Sequence, residues 1–395
     1  AIDTSRMFLV RAKLSQAVDA AALAAGQATD PASVEADAQR IFAVNYPEAY
    51  MGAGVEAPEV NYDEDTGQVE VIARTSLPTM FMQLASVDTL DVEARALVVR
   101  EQRGMELALV LDVSGSMCGP TSDYPCSNPR GSRIADLKLA AKDLIDIVYG
   151  PNDTAEDLYV AVVPFNARVK IGFDRTDWLT VTAPADWRGC AEPRSGSAAF
   201  DDTPPSGGKW APTPKQVSYR DSRGKRVTYS VPCNSEILPL TASKAVVKTH
   251  IDGMVADGGT RIDNAAGWGW RVLSERWQGL WGAGTAGLPL DNDEEPAKAI
   301  VIMSDGQNDT STRVIDDGKP TNAQADTNLR TTCQAMRDAG YVVFTVAFQA
   351  TTAGQTVLSD CAGSSANYFN SPTSADLRRA FRQIGGRLSA LRLAE

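Results

Sequence analysis

Histidine is almost absent: the 395-residue chain has one, His250, in a helix-like run far in sequence from any other candidate group. A Ser-His-Asp hydrolase would depend on that imidazole alone. The six cysteines, Cys118, Cys126, Cys190, Cys233, Cys333 and Cys361, form no Cys-x-x-Cys pair and have no histidine neighbours, which argues against zinc. No stretch approaches the roughly 20 apolar residues of a transmembrane helix. There is no Gly-rich phosphate loop ending in Lys-Ser or Lys-Thr, and no Gly-x-Ser-x-Gly elbow surrounds Ser114 or Ser116. Basic charge is in deficit, 38 Lys and Arg against 50 Asp and Glu, a formal net charge of -12. That balance disfavours nucleic acid or an anionic membrane surface as the main partner and is compatible with divalent cations.

What is present begins with a globular composition. Hydrophobic residues make up 43% of the chain, and its length allows more than one domain. An even number of cysteines in polar, loop-like segments reads as three disulfides in an oxidising compartment, with six reduced thiols as the alternative. Fifteen connectivities are available to six cysteines. Proximity favours Cys118 with Cys126, Cys190 with Cys233, and Cys333 with Cys361.

Residues 107–117, LALVLDVSGSM, join a short apolar run to an Asp-x-Ser-x-Ser signature. The run suits a central strand of a parallel sheet covered on both faces, which places the polar cluster at its carboxyl end, where open α/β sheets bind ligands. Asp112, Ser114 and Ser116 offer oxygen only, the donor type of Mg²⁺, Ca²⁺ or Mn²⁺. Read alone, the same pattern also describes an Asp and two Ser that satisfy turn amides and cap a helix. Two later stretches add to it: residues 258–273, where a glycine pair precedes Thr260 and a helix-like run, and residues 299–308, where a second buried-type strand ends in Asp305-Gly306.

In this order the three stretches resemble the metal-ion-dependent adhesion site of von Willebrand factor A (VWA) domains. The matching positions are Asp112, Ser114, Ser116, Thr260 and Asp305. The resemblance implies that both serines and the threonine bind a divalent cation directly, with Mg²⁺ first and Ca²⁺ or Mn²⁺ as alternatives. The aspartates would bind directly or through water, and one position would be left for a partner's carboxylate or solvent. It also implies an α/β fold of VWA (Rossmann-like) type, a doubly wound, mostly parallel central sheet with helices on both faces.

Residues 1–28 are helix-forming throughout. Asp3, Arg6, Leu14, Gln16 and the run Asp19, Ala20, Ala21, Ala22, Leu23, Ala24 resemble the segment after the membrane helix in TadE/TadG-like proteins of the tight-adherence (Tad, or Flp) pilus system; Ser15 between Leu14 and Gln16 departs from it. The resemblance recurs in Val163-Pro164-Phe165-Asn166, in Trp268, Trp270, Arg271 and Leu273, and in the tail with Cys361-Ala362 and Leu391-Arg392-Leu393. It implies a pilin-like first domain over residues 1–103, helix then small sheet, with a membrane contact only through a helix upstream of Ala1. Within that domain, alternation predicts a hairpin over 59–62 and 68–75, a short helix over 78–85 and a strand over 89–100. The VWA domain is expected over 104–395.

Residues 167–239 do not fit a compact A domain. They carry Trp178, Trp187 and Trp210, many Pro and Gly, and a hairpin-like stretch around 220–231 with its turn at Ser222-Arg223-Gly224. An inserted loop/β subdomain is expected, its tryptophans forming either a mini-core or a recognition surface, and Trp277 and Trp281 either packing on the domain or extending that surface. Asp263 is expected to cap the helix after Thr260, or to stand in the outer shell of the site.

Three functions follow. The first is a non-enzymatic, extracytoplasmic pilus subunit, a minor pilin or tip adhesin, whose cation captures an acidic residue on a host-cell or surface protein. It would sit at the inner membrane before assembly and at the cell surface or pilus afterwards. The second is a cation-independent scaffold that docks other pilus subunits or assembly proteins. The third, a metal-dependent hydrolase, lacks a base, and no catalytic residue is assigned.

Overall fold

The computed structural model describes residues 2–28, 33–63, 67–99, 104–120, 125–155, 157–194, 196–220, 223–285, 287–291, 296–310 and 321–392. Ala1, residues 64–66 of the hairpin turn, Arg100, Ser222 and Leu393 lie outside them. The chain divides into two compact units, residues 1–103 with 389–395, and residues 104–388.

The first unit sets helices α1 (Ile2–Gly26) and α2 (Val34–Asn45) against an antiparallel sheet of β1 (Gly54–Val55), β2 (Glu59–Tyr62), β3 (Gln68–Pro78) and β4 (Thr89–Val99). β1, β2 and β4 all pair with β3. Helix α1 buries Val10, Leu14, Ala17, Val18, Ala21 and Ala25, a three-and-four spacing whose small residues let the backbone approach the sheet. From β3 come Val69, Val71, Ala73 and Leu77, every second side chain. The Asp3 carboxylate accepts hydrogen bonds from the amides of Met80, Phe81 and Met82 at 2.8, 2.8 and 2.9 Å. These bonds, Met80's foremost, hold its pKa below the ordinary value. The stretch expected as a short helix over 78–85 is a single 3₁₀ turn, Met82–Ala85.

The second unit is built on a six-stranded sheet, formed by β5 (Met105–Asp112), β6 (Leu158–Phe165), β11 (Leu238–Thr241), β12 (Ala297–Ser304), β13 (Val342–Phe348) and β14 (Tyr368–Ser371). Their order is β11-β6-β5-β12-β13-β14, and only β11 runs antiparallel. This is the doubly wound α/β arrangement. Alternation along the buried strands makes two cores. Leu107, Leu109, Leu111, Val160 and Val301 face α3 (Arg133–Tyr149), α4 (Lys244–Gly253) and α8 (Ser374–Arg392). Ala108, Val110, Val163, Ile300 and Ile302 face α5 (Ile262–Arg271), α6 (Asn322–Asp338) and α7 (Thr352–Ala362). Three helices therefore cover each face.

Residues 167–239 contribute two small antiparallel pairs, β7 (Val169–Lys170) with β8 (Cys190–Ala191), and β9 (Gln216–Arg220) with β10 (Arg226–Ser230). Their tryptophans form neither a separate mini-core nor an exposed surface. Trp178, Trp187 and Trp210 are buried in the same core as Trp268, Trp277 and Trp281. Trp210 and Trp268 lie 4.8 Å apart, and Trp178 lies 5.2 Å from both Trp277 and Trp281. Six indoles bury more apolar area than so short a segment could enclose alone, so they fold it onto the α5 face of the sheet. The disulfides are Cys118–Cys126, Cys190–Cys233 and Cys333–Cys361. Among the described residues no helix is long and apolar enough to cross a membrane.

Candidate cation site

Strands β5 and β12 run parallel with Leu111 opposite Met303, so Asp112 and Ser304 end neighbouring strands at one edge. Strand β6 lies on one side of β5 and β12 on the other, which is the switch point where departing loops leave a crevice. There Ser304 Oγ donates to Asp112 Oδ2 at 2.5 Å, and Ser114 N donates to Asp112 Oδ1 at 2.7 Å. Ser116 Oγ donates its one proton to Asp305 Oδ1 at 2.7 Å. In the Ser114–Ser116 hydroxyl pair, 2.9 Å apart, Ser114 is therefore the donor. Asp112, Ser114 and Asp305 are buried, whereas Ser116 is exposed.

Thr260 enters from a different loop. Gly258 has φ +84°, in the left-handed region, and its carbonyl accepts from Gly115 N at 2.8 Å, tying this loop to the serine turn. Asn166, just past β6, fixes the loop's other side: its carbonyl accepts from Arg261 N at 3.0 Å and its Nδ2 donates to Asp257 O at 2.9 Å. Hydrogen bonds thus link Asp112, Ser114, Ser116 and Asp305 in one network. Thr260 stands beside it, its Oγ1 about 3.9 Å from where a Cβ on Gly306 would lie, with no hydrogen bond to the hydroxyl among the described residues.

Burial, and then the charge of Asp305, pushes the Asp112 carboxyl up to about 7. Burial also raises Asp305, against hydrogen bonds from Ser116 and Arg133. Arg133, the first residue of α3, donates from Nη1 to Asp305 Oδ2 at 2.6 Å and from Nε to Gln349 Oε1 at 2.9 Å. Sequence reading missed Arg133, Ser304 and Gln349, which carry no motif of their own, and it named Asn166 only as the end of the Val-Pro-Phe-Asn stretch without a part in the site. The capping expectation for Asp263 is corrected: its carboxylate is held by Arg261 at 2.8 and 2.7 Å. The amides of Ile262 and Asp263 at the start of α5 donate instead to Asn308 Oδ1, at 2.8 and 3.3 Å.

The donors are three hydroxyls and two carboxylates, without nitrogen or sulfur, the chemistry of a hard cation. Adjacent oxygens around an ion with bonds of about 2.0–2.1 Å stand about 3 Å apart. The Ser114–Ser116 and Ser116–Asp305 separations of 2.9 and 2.7 Å fit that spacing. Among the described residues no group of three or more His, Cys, Asp or Glu side chains is placed to hold a metal. His250 lies on α4 with Nε2 2.8 Å from the Glu236 carbonyl, half-buried, in a structural role.

No protein-family model matches the chain, and no curated protein sequence does. Among solved structures it is similar to the pilus adhesin SpaC from Lactobacillus rhamnosus GG, at 10% identity over 85% of this chain and a TM-score of 0.42. It spans only 34% of that adhesin's chain. The vWF domain of the type V pili tip protein Mfa5 from Porphyromonas gingivalis is similar at 10% identity and a TM-score of 0.42, over 74% of this chain and 98% of that one. Proximal thread matrix protein 1 from the mussel byssus, with a zinc-occupied MIDAS motif, is similar at 16% identity and a TM-score of 0.36, over 74% of this chain and 47% of that one.

Proposed function

We propose that residues 104–395 form a VWA domain that binds a divalent cation through Ser114, Ser116, Thr260, Asp112 and Asp305, and through it an acidic group on a protein partner. The observation that carries this reading is the convergence of Ser114 Oγ, Ser116 Oγ and Asp305 Oδ1 at 2.9 and 2.7 Å on the carboxyl edge of the sheet, with Ser116 open to solvent. Mg²⁺ suits the short spacing best, and Ca²⁺, whose bonds are 2.3–2.6 Å, requires the turn to open. A bound cation supplies positive charge with an exchangeable position, which a carboxylate fills reversibly. Ser114 and Ser116 contribute neutral oxygens, Thr260 a third from across the crevice, and Asp112, fully engaged by Ser304 and the Ser114 amide, orients the turn.

The role is binding and not catalysis. Ser116 donates to a carboxylate that is itself paired with a guanidinium, an arrangement that leaves no base to activate it. We place the protein as an extracytoplasmic subunit of a Tad/Flp-type pilus, a minor pilin or tip adhesin, with residues 1–103 as its pilin-like part. The three disulfides agree with an oxidising compartment. A second reading, a cation-independent pilus scaffold, is favoured by the Arg133–Asp305 pair, which neutralises one carboxylate without an ion.

Calorimetric titration of Mg²⁺, Ca²⁺ and Mn²⁺ into chelator-stripped protein, beside Asp112→Ala, separates the two. Saturable binding that the variant loses supports the cation site. No binding to the native protein leaves the scaffold.

A further inference from the structure

Arg133 is not part of the Asp-x-Ser-x-Ser pattern, yet it occupies the same carboxylate. Its Nη1 lies 2.6 Å from Asp305 Oδ2, while Asp305 Oδ1 takes the Ser116 proton at 2.7 Å, so both oxygens of Asp305 are engaged. The guanidinium is clamped from its other side, Nε to Gln349 Oε1 at 2.9 Å. Gln349 adopts φ +50°, a left-handed conformation that non-glycine residues seldom hold without support, and its amide is fixed to the Ser371 carbonyl at 3.0 Å. Strained backbone at the end of β13 thus serves to aim one side chain. Arg133 is about one-third exposed and its partner carboxylate is inaccessible, with side-chain exposures of 30% and 0%.

We propose that Arg133 is an internal cation that competes with the divalent ion for Asp305 and sets the affinity of the site. This rests on the cation-binding reading above. A carboxylate as buried as Asp305 needs a positive neighbour, and Arg133 is that neighbour. When a divalent ion takes its place among the hydroxyls, the same fixed charge repels it, and at this short range the carboxylate side of the site, where Asp112 and Asp305 are buried, screens that repulsion only in part. The arginine therefore stabilises the cation-free form and weakens cation binding. It makes the site respond to changes in cation concentration where it would otherwise remain saturated.

The test is calorimetric Mg²⁺ titration of the full chain, native and Arg133→Gln, together with thermal unfolding in chelator and in saturating Mg²⁺. Arg133→Gln is expected to bind Mg²⁺ on the order of tenfold more tightly. Its unfolding midpoint should fall in chelator and recover in Mg²⁺, and Arg133→Lys, which keeps the charge, should stay near native. Gln349→Gly, which relieves the backbone strain and unclamps the guanidinium, should shift affinity in the same direction by less, and it serves where Arg133→Gln folds poorly. Unchanged or weaker binding in folded Arg133→Gln, with native binding intact, overturns this inference alone. Binding by the variant where native protein shows none supports the inference and confines the failure to the reading of an open site. Absence of binding in every protein overturns both.

Discussion

Ser304 donates its hydroxyl proton to Asp112 Oδ2 at 2.5 Å, across neighbouring strands and 192 residues of sequence. The bond fixes the carboxylate from below while the Ser114 amide fixes it from above, so the serine turn inherits its orientation from β12. Removing groups that orient ligands typically costs about 10–100-fold in metal affinity. Ser304→Ala should therefore weaken Mg²⁺ binding by about that factor while the fold persists, as checked by calorimetry and circular dichroism. An affinity equal to the native value would show that Ser304 does not orient the site through Asp112.

Acidity should act on the cation-free protein through Asp112. Its carboxyl stands near 7 when folded, against 3.8 for an ordinary aspartate. A raised acid contributes stability that is complete below about 3.8 and is lost as pH climbs through 7, because only the folded state retains the proton between those values. In chelator, then, the native protein should gain on Asp112→Asn, by up to a few kcal/mol, as pH is lowered from 8 to 5. Saturating Mg²⁺ should flatten the difference. The measurement is denaturant unfolding of both proteins across that range, and parallel curves would refute the prediction.

Helix α7 begins against the Asp305 loop with no space to spare: a Cβ on Gly354 would stand 2.3 Å from the Gly306 carbonyl oxygen. Because the obstacle is backbone, Gly354→Ala must displace the loop or the helix. We expect a loss of about 1–3 kcal/mol in unfolding free energy together with weaker cation binding. Gly386 in α8, exposed and with nothing within 4 Å of an added Cβ, is the control. Gly386→Ala should stabilise by up to about 1 kcal/mol and leave the site untouched.

Arg271 holds the inserted segment from inside. It is 1% exposed, its guanidinium lies 5.2 Å from the Trp268 ring and 5.5 Å from the Trp210 ring, and it donates to the carbonyls of Ala198, Ala199 and Asp201. Burial lowers its pKa to about 9. Arg271→Ala leaves a cavity and three carbonyls without this donor, a combination expected to cost about 3 kcal/mol or more. Hydrogen exchange should rise first across residues 196–210. Unchanged protection there would mean that the tryptophans alone fix the segment.

Elements were legible where the signal was local. The apolar runs of β5, β6, β12 and β13 were readable as buried strands, and α3 by its apolar spacing, whereas the caps Ser132 and Ser243 of α3 and α4 show only in the structure. Helices α2 and α7 and strands β11 and β14 were not foreseen. Strand β11 is four residues with a proline, and β14 alternates weakly because only Ser371 is fully buried. At the site the signature residues stood out because three share one turn. Arg133, Ser304 and Gln349 did not, since each meets its partner across a sequence separation of 172, 192 or 216.

That separation governs when the site comes into being. A growing chain displays Asp112, Ser114 and Ser116 long before Asp305 is made, and the oxygens meet only once β12 has docked in register beside β5. The loop is bridged in stages, the Gly115 amide donating to the Gly258 carbonyl and the Ile262 amide to Asn308 Oδ1, so that the start of α5 links the serine turn to the Asp305 loop. An unfinished or misregistered chain would present the Asp-x-Ser-x-Ser signature without bringing Asp305 to it.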